Sequence, residues 1–430
     1  MGDRDNIAAD SKVADRLKKL IRANQSVAHI ESLEELLPVL LDLVRDITDA
    51  EASSILLYDP EREVLSFAAV KDEVLGEKAE ELLHGSVELR LGEGIAGWVA
   101  QSKKAINIKD AQNDPRFSKE ADRKTGFVTR NLLCFPLLYG QEVLGVINVL
   151  NSKVKPYFDS EDQDILESFA DLAAVAIIRS RLLESRLQQQ KLEIQLEAAS
   201  KIQAMFWPKL PEMQGGSRAW AVSRPAAMVG GDLYDFIPAP GGQWLVYVAD
   251  VSDKGLPAAL IMAALSARIR SEALVHREVG ELLEAVNRAM YDIMSEEGFF
   301  ATILFGKYEP ITGRLQYVVG GHFPPVWIKG KEIQQVPPLK GISLGLTPNV
   351  EYEAREILLS PGDSVLFLTD GVTEAENERN DLFGYGALRD YLAKSEGPPW
   401  GKGLLDAVDA WRGAAEANDD LTIVEIWRSW

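Results

Sequence analysis

In the second half of this sequence, aspartates recur where apolar runs end or where glycines force a turn. Asp232 lies in Val229-Gly230-Gly231-Asp232-Leu233-Tyr234-Asp235, and Asp250 ends Leu245-Val246-Tyr247-Val248-Ala249-Asp250. Asp370 ends Val365-Leu366-Phe367-Leu368-Thr369-Asp370 before Gly371, and Asp419-Asp420 lead directly into Leu421-Thr422-Ile423-Val424. Any one of these is accounted for as a turn or cap residue. Four in comparable contexts point instead to carboxylates that a rigid sheet brings to one place. Buried carboxylates need a cation, and basic side chains nearby in sequence are few, chiefly Lys254 and Arg224. Oxygen-only donors select a hard ion, so the chemistry expected is that of Mg²⁺ or Mn²⁺.

The elements that must hold these groups are legible from periodicity. From about residue 207, Pro and Gly cluster and short apolar strands are predicted at 219–223, 244–251, 300–308, 314–319, 365–369 and 421–427. Two helical patterns intervene at 257–275 and 279–295, the first with Pro257 suited to an opening turn. Two stacked sheets with helices outside follow from this order. Residues 30–180 read as a separate α+β unit. Its predicted parts are a helix over 33–47, strands at 54–58 and 64–70, a charged helix over 71–83, strands at 131–138 and 142–150, and a closing helix from about 160. Because strands and helices there do not alternate regularly, the sheet is expected to be antiparallel and flanked by helices. No Gly or Pro occurs between Pro156 and Pro208, which predicts one long helix or two end to end. Its apolar positions include Leu183, Leu187, Ile194, Ala198, Ile202 and Met205. At the start, Val13, Leu17, Leu20, Asn24 and Val27 form a short seam at coiled-coil spacing, which serves equally a helix folding back on its own domain.

Composition narrows the class. The 430 residues carry 46 Lys and Arg against 66 Asp and Glu, a net charge of −20, which disfavours nucleic acid or an anionic membrane as partner. A single cysteine, Cys134, excludes an internal disulfide framework or a Cys-rich zinc site and fits the reducing cytoplasm. No apolar run approaches the ~20 residues of a membrane span.

Five ordered segments then carry a resemblance: Gly230-Gly231-Asp232-Leu233-Tyr234-Asp235, Ala249-Asp250-Val251-Ser252-Asp253-Lys254-Gly255, Gly320-Gly321-His322-Phe323-Pro324-Pro325, 366–375, and Asp419-Asp420-Leu421-Thr422. Residues from about 197 to 430 resemble the SpoIIE/RsbU-type branch of the metal-dependent, type 2C-like (PPM) Ser/Thr protein phosphatases, with 198–210 similar to the helix that leads into that domain. The resemblance implies an α-β-β-α sandwich with two divalent ions, Mn²⁺ or Mg²⁺, at one edge. It implies Asp232, Asp250, Asp370 and Asp419 as catalytic metal ligands, with the backbone carbonyl of Val251 as a further donor, and metal-assisted hydrolysis of phosphoserine or phosphothreonine without a phosphoenzyme. Asp420 matches a less constant place. Asp253 and Phe323 depart from the Gly and Asn common in the family, and His322 is more simply structural than a general acid. A bare Gly-Gly-Asp also suggests a diguanylate cyclase, but Leu233-Tyr234 replace the acidic-Phe continuation that chemistry needs.

Residues 30–180 resemble a GAF domain, through 92–99, 105–111, Asp114-Pro115-Arg116-Phe117 and 132–151. That implies an unidentified small-molecule ligand. Asn151, Lys153, Phe158 and Asp162 echo cyclic-nucleotide-binding members, yet they serve as well to tie the last strand to the closing helix. The expected organisation is an N-terminal helix and candidate coiled coil (1–29), a GAF sensor (30–180), a helical linker (181–206) and a phosphatase domain (207–430). The expected protein is a cytoplasmic homodimer, joined through its N-terminal and linker helices, that acts on a phosphorylated STAS-type antagonist of an anti-sigma factor. The competing expectation is a phosphatase-like scaffold that binds the same partner without catalysis.

Overall fold

The computed structural model describes residues 30, 32–73, 76, 78, 82–83, 86–334, 336, 339, 341–395 and 397–430. The seam from Val13 to Val27 lies outside them. The chain divides into two compact units, Met1–Gln190 and Lys191–Trp430.

The first unit is built on one antiparallel sheet. Its strands are β1 (Ala50–Asp59), β2 (Val64–Asp72), β3 (Glu88–Arg90), β4 (Ile106–Ile108), β5 (Leu132–Tyr139) and β6 (Glu142–Ser152), in the order β3-β2-β1-β6-β5-β4. Alternation sorts the side chains: Ile55 and Ile147 face one core, and Leu56 and Val146 the other. On the first face pack α1 (Leu33–Thr48) and the opening turns of a 44-residue helix α4 (Ser160–Gln203), through Leu40, Val44, Phe169 and Ala173. The second face carries α2 (Gly94–Ser102), with Ile95 and Val99 buried; α3 is the short Glu120–Thr125. The charged helix expected from residue 71 does not begin there. Lys71 and Asp72 continue β2, paired with Ser53 and Ala52, because ladder bonds to β1 outweigh the helical preference of a charged segment.

The second unit stacks two five-stranded antiparallel sheets. One has the order β14-β11-β10-β9-β8, from β8 (Leu233–Ala239), β9 (Gln243–Val251), β10 (Ala301–Glu309), β11 (Arg314–Gly320) and β14 (Arg355–Leu358). The other is β13-β12-β15-β16-β7, from β7 (Ser217–Arg224), β12 (Val326–Lys329), β13 (Glu332–Gln334), β15 (Ser364–Leu368) and β16 (Leu421–Arg428). Val246, Val248, Leu304, Phe367, Val424 and Ile426 fill the layer between the sheets. On the outer face of the first, Leu245, Tyr247 and Ala249 meet α5 (Leu256–Glu272) and α6 (Val279–Glu296). A four-residue turn of helix, α7 (Asp370–Thr373), follows β15. Outside the second sheet, Leu366, Leu368 and Ile423 meet α8 (Gly384–Lys394) and α9 (Trp400–Arg412). This is the α-β-β-α sandwich.

One buried carboxylate fixes the start of α9 on the second sheet. Glu425, fully buried in β16, accepts hydrogen bonds from the backbone N–H of Trp400 (3.0 Å) and Gly401 (2.8 Å) and from Ser364 Oγ (2.6 Å). It thereby satisfies donors at the positive end of α9. Gly401 must be glycine here, since a Cβ would stand 2.6 Å from the Trp220 ring. Replacing Glu425 by Ala leaves the two backbone N–H groups without an acceptor, while Ser364 Oγ keeps the Ile426 carbonyl (3.4 Å), so Glu425→Ala is expected to lower the unfolding free energy by about 3 kcal/mol. Urea denaturation followed by tryptophan fluorescence measures this, and a loss below about 1 kcal/mol would show that the helix is held by packing alone.

Candidate metal centre

The aspartates arrive at one end of the sandwich by strand register. Leu233 of β8 pairs with Ala249 of β9, which sets Asp232 and Asp250 one step beyond that pair. In the facing sheet Leu368 pairs with Ile423, and Thr369 and Thr422 extend the ladder through Thr369 N–H to the Thr422 carbonyl (3.1 Å). Asp370 and the Asp419-Asp420 pair lie just past it.

Asp420 organises the turn that carries Asp232. Its Oδ2 accepts from the N–H of Gly231 (2.6 Å) and Asp232 (3.4 Å), and its Oδ1 from the N–H of Ala226 (2.8 Å). The approach is so close that a Cβ on Gly230 would stand 2.1 Å from Asp420 Oδ2. A Cβ on Gly231 would come within 2.7 Å of the Val251 carbonyl, so the turn lies directly against the end of β9. From the other side, buried Gln203 in the last turn of α4 grips Gly230: Gln203 Nε2 donates to the Gly230 carbonyl (2.6 Å), and Gly230 N–H donates to Gln203 Oε1 (3.2 Å).

Charge within the cluster is poorly balanced. Asp232 is buried; Thr369 Oγ1 donates to its Oδ2 (2.7 Å), and its Oδ1 has no hydrogen-bond partner. Burial, then the negative charges of Asp250 and Asp420, raise its pKa well above the ordinary carboxylate range. Burial and the carboxylates of Asp370, Asp419 and Asp420 push Asp250 up to about 7, against an opposing contribution from Lys254. Asp370 is raised by burial and by Asp419 and Glu374. Lys254 Nζ lies 3.2 Å from Asp419 Oδ1, whereas Arg224 is paired with Asp409 (2.7 Å) and takes no part. Among the described residues no three acidic, imidazole or thiol groups are drawn together tightly enough to form a ready cage. The donor set nonetheless fits a hard divalent cation: it is all oxygen, mutually repulsive, and includes one buried oxygen without a partner.

The family model of Stage II sporulation protein E (SpoIIE) matches residues 240–428, and that of the GAF domain matches residues 31–178. By these matches the chain carries a GAF-type region followed by a SpoIIE-type region. Among curated relatives, the probable 3',5'-cyclic phosphodiesterase pde-5 of Caenorhabditis elegans is 30% identical over 199 residues, 45% of this chain and 27% of its own. Protein IcfG of Synechocystis is 26% identical over 275 residues, 55% of this chain and 42% of its own. The chain thus spans less than half the length of either. Of solved structures, the SiaA-PP2C domain of Pseudomonas aeruginosa aligns with 56% of this chain and 98% of its own at 23% identity and a TM-score of 0.48.

Other residues singled out by sequence fall elsewhere in the two domains. His322 is half-buried, its Nδ1 3.1 Å from the Phe323 carbonyl oxygen, and burial lowers its pKa. Phe323 is exposed and lies edge to face with Tyr385, ring centres 6.2 Å apart. Asp253 adopts a left-handed φ of 67°, a conformation glycine takes at least cost, which accounts physically for the family's usual residue at that place. In the GAF domain, Cys134 is fully buried, and burial raises its thiol pKa far out of the reactive range. Asn151 accepts from Arg130 N–H (2.7 Å) and donates to Glu51 (2.8 Å) and the Val128 carbonyl (3.0 Å). Asp162 pairs with Lys155 (2.9 Å), while Lys153 pairs with Glu73. Asp162 thus ties the segment after β6 to α4, as one expectation held, whereas Asn151 and Lys153 join the end of β6 to β1, to residues 128–130 and to Glu73. The same domain encloses a mostly apolar cavity of about 110 Å³ between the sheet and the start of α2. In its wall Asn148 Nδ2 donates to Ser54 Oγ (3.1 Å), while its Oδ1 is buried without a partner. No Lys or Arg is among the described lining residues.

The raised carboxyls give the site a signed pH dependence. A carboxyl whose folded pKa exceeds its unfolded value contributes stability below the unfolded pKa, about 4, and loses it as pH rises through the folded pKa. The metal-free domain should therefore lose thermal stability as pH rises from about 4 through the raised pKa of Asp250, about 7, with Asp232 adding to the loss. Mn²⁺ should restore it at pH 7.5 with release of protons. Asp250→Asn should flatten both responses. Thermal unfolding in EDTA and in Mn²⁺ across this range is the check, and equal profiles for wild type and variant would remove Asp250 from the site.

Proposed function

We propose that this protein is a metal-dependent serine/threonine phosphatase that removes phosphate from phosphoserine or phosphothreonine. The observation that carries the proposal is the group of poorly compensated aspartates at one end of a PP2C-like sandwich, with Asp250 pushed up to about 7 by burial and by three neighbouring carboxylates. Asp232, Asp250, Asp370 and Asp419, with the Val251 carbonyl, would hold two Mn²⁺ or Mg²⁺ ions. When bound, such ions supply a water nucleophile at neutral pH and positive charge for the phosphoryl oxygens.

The chain's own part is positional. Asp232 and Asp250 must give up their protons to ligate, which favours reaction above the pKa of Asp250. Thr369 orients Asp232 by occupying Oδ2, so that Oδ1 is the free donor. Asp420, with both oxygens occupied by backbone N–H groups, holds the turn and is assigned no ligand role. The substrate we infer is a phosphorylated STAS-type antagonist of an anti-sigma factor, in the cytoplasm, with the protein acting as a homodimer through its N-terminal and linker helices.

The GAF cavity supports control by a small molecule. Its mostly apolar wall, the carboxylates of Asp72 and Asp122, the unpartnered Asn148 oxygen and the lack of a lining cation among the described residues favour a ligand without negative charge that carries an N–H or O–H donor over a cyclic nucleotide. Regulation would act through residues 181–206, because Gln203 at the end of α4 holds the backbone next to Asp232.

Two measurements test this. Hydrolysis of p-nitrophenyl phosphate by the full chain should require Mn²⁺ and be lost in EDTA and in Asp370→Asn, by at least a hundredfold. Absence of turnover together with absence of Mn²⁺ binding would establish the scaffold alternative. Gln203→Ala should weaken Mn²⁺ binding and lower the metal-dependent rate about tenfold, since two buried backbone groups lose partners worth about 1 kcal/mol each. A rate and Mn²⁺ affinity equal to wild type would disconnect α4 from the site.

A further inference from the structure

Lys254 stands out as a cation that the ligand set leaves unused. Its backbone lies between Asp253, at φ 67°, and Gly255, at φ 79°, in the tight passage from the end of β9 into α5. From there its ammonium reaches Asp419 Oδ1 at 3.2 Å and donates to the Asn418 carbonyl. Asn418 is held in turn, its Nδ2 donating to the Glu374 carbonyl at 2.9 Å, so the loop bearing Asp419 is braced. The side chain is 55% exposed, which leaves one face of the ammonium open to solvent. An ammonium has three donors, and the two contacts named use two of them.

A phosphate ester approaching this end of the domain meets Asp232, Asp250, Asp370, Asp419 and Asp420, all of its own sign. The positive charge of Lys254 acts on Asp250 against these carboxylates. We propose that Lys254 is a substrate-binding residue, which exchanges its ion pair with Asp419 for the phosphoryl oxygens of the substrate when a divalent cation takes Asp419. This rests on the metal-dependent phosphatase reading above. Lys254 donates hydrogen bonds throughout and neither forms nor breaks a covalent bond. In the metal-free protein it competes with an incoming cation for Asp419, and in the loaded protein it adds a charge-assisted contact to phosphate.

Two consequences of opposite sign follow from one side chain. Lys254→Met should bind Mn²⁺ about threefold more tightly, because a competing positive charge is removed. The same variant should bind inorganic phosphate about tenfold more weakly at saturating Mn²⁺, the scale of one charge-assisted hydrogen bond. Lys254→Arg should keep phosphate affinity within about threefold of wild type, since its charge and donors remain. Calorimetric titration of the full chain with Mn²⁺, then with phosphate, reads both quantities without turnover. Unchanged phosphate affinity in Lys254→Met would make Lys254 no more than a counter-ion of Asp419, and parallel loss of both affinities would make it structural. Failure of the wild type to bind Mn²⁺ would instead overturn the phosphatase reading itself, a result distinct from either.

Discussion

The carboxylate of Asp420 is the constraint on which the site depends. It belongs to the sheet of β16, and its oxygens are spent on N–H groups of the segment that leads into β8 of the other sheet. Apolar packing holds the two sheets face to face, but such packing is non-directional and tolerates sliding. A buried carboxylate with several backbone donors is directional, and breaking it would strand a charge. Asp420 therefore converts a sandwich of two sheets into a fixed spacing between Asp232 on one and Asp370 and Asp419 on the other.

The same end of the domain accumulates negative charge that the protein does not neutralise from within. Elsewhere buried carboxylates are matched: Asp235 is held by Arg270 through two contacts of 2.8 Å, and Glu425 by a helix terminus. The contrast locates function better than burial alone, because a fold gains nothing by leaving Asp232 Oδ1 without a partner. In the first unit the polar groups of Asn151 and Asp162 are engaged by their neighbours, whereas in the cavity wall Asn148 keeps an unmet oxygen.

Much of this was legible in the sequence, for identifiable reasons. Period-two alternation in 244–251 and 421–427 marked strands whose two faces meet different cores, and the 156–208 stretch free of Gly and Pro became a single helix. Strand β8 is masked in the sequence because Gly230-Gly231-Asp232 has the composition of a turn, although Leu233–Ala239 runs on as an edge strand. Helices α8 and α9 begin at Gly384 and Trp400 and carry interior glycines at Gly386, Gly401 and Gly403, so propensity argued against them; they exist because buried Leu388, Leu392, Trp400 and Leu404 cover the outer sheet face. The four aspartates were visible through their contexts, whereas the clamp of Asp420 and the grip of Gln203 join residues 189 and 27 positions apart and leave no local pattern.

Gln203 holds main-chain atoms, not a side chain, and this shapes what the sequence can tolerate. Proline cannot stand at position 230, where an N–H is needed, and the clamp of Asp420 forbids a side chain there. The helix is indexed as well. Each residue gained or lost within α4 upstream of Gln203 turns the preceding stretch of that helix by about 100°. Length variation in this helix is thus phase variation, so that only near-whole turns, gained or lost in steps such as seven residues, preserve the face it presents.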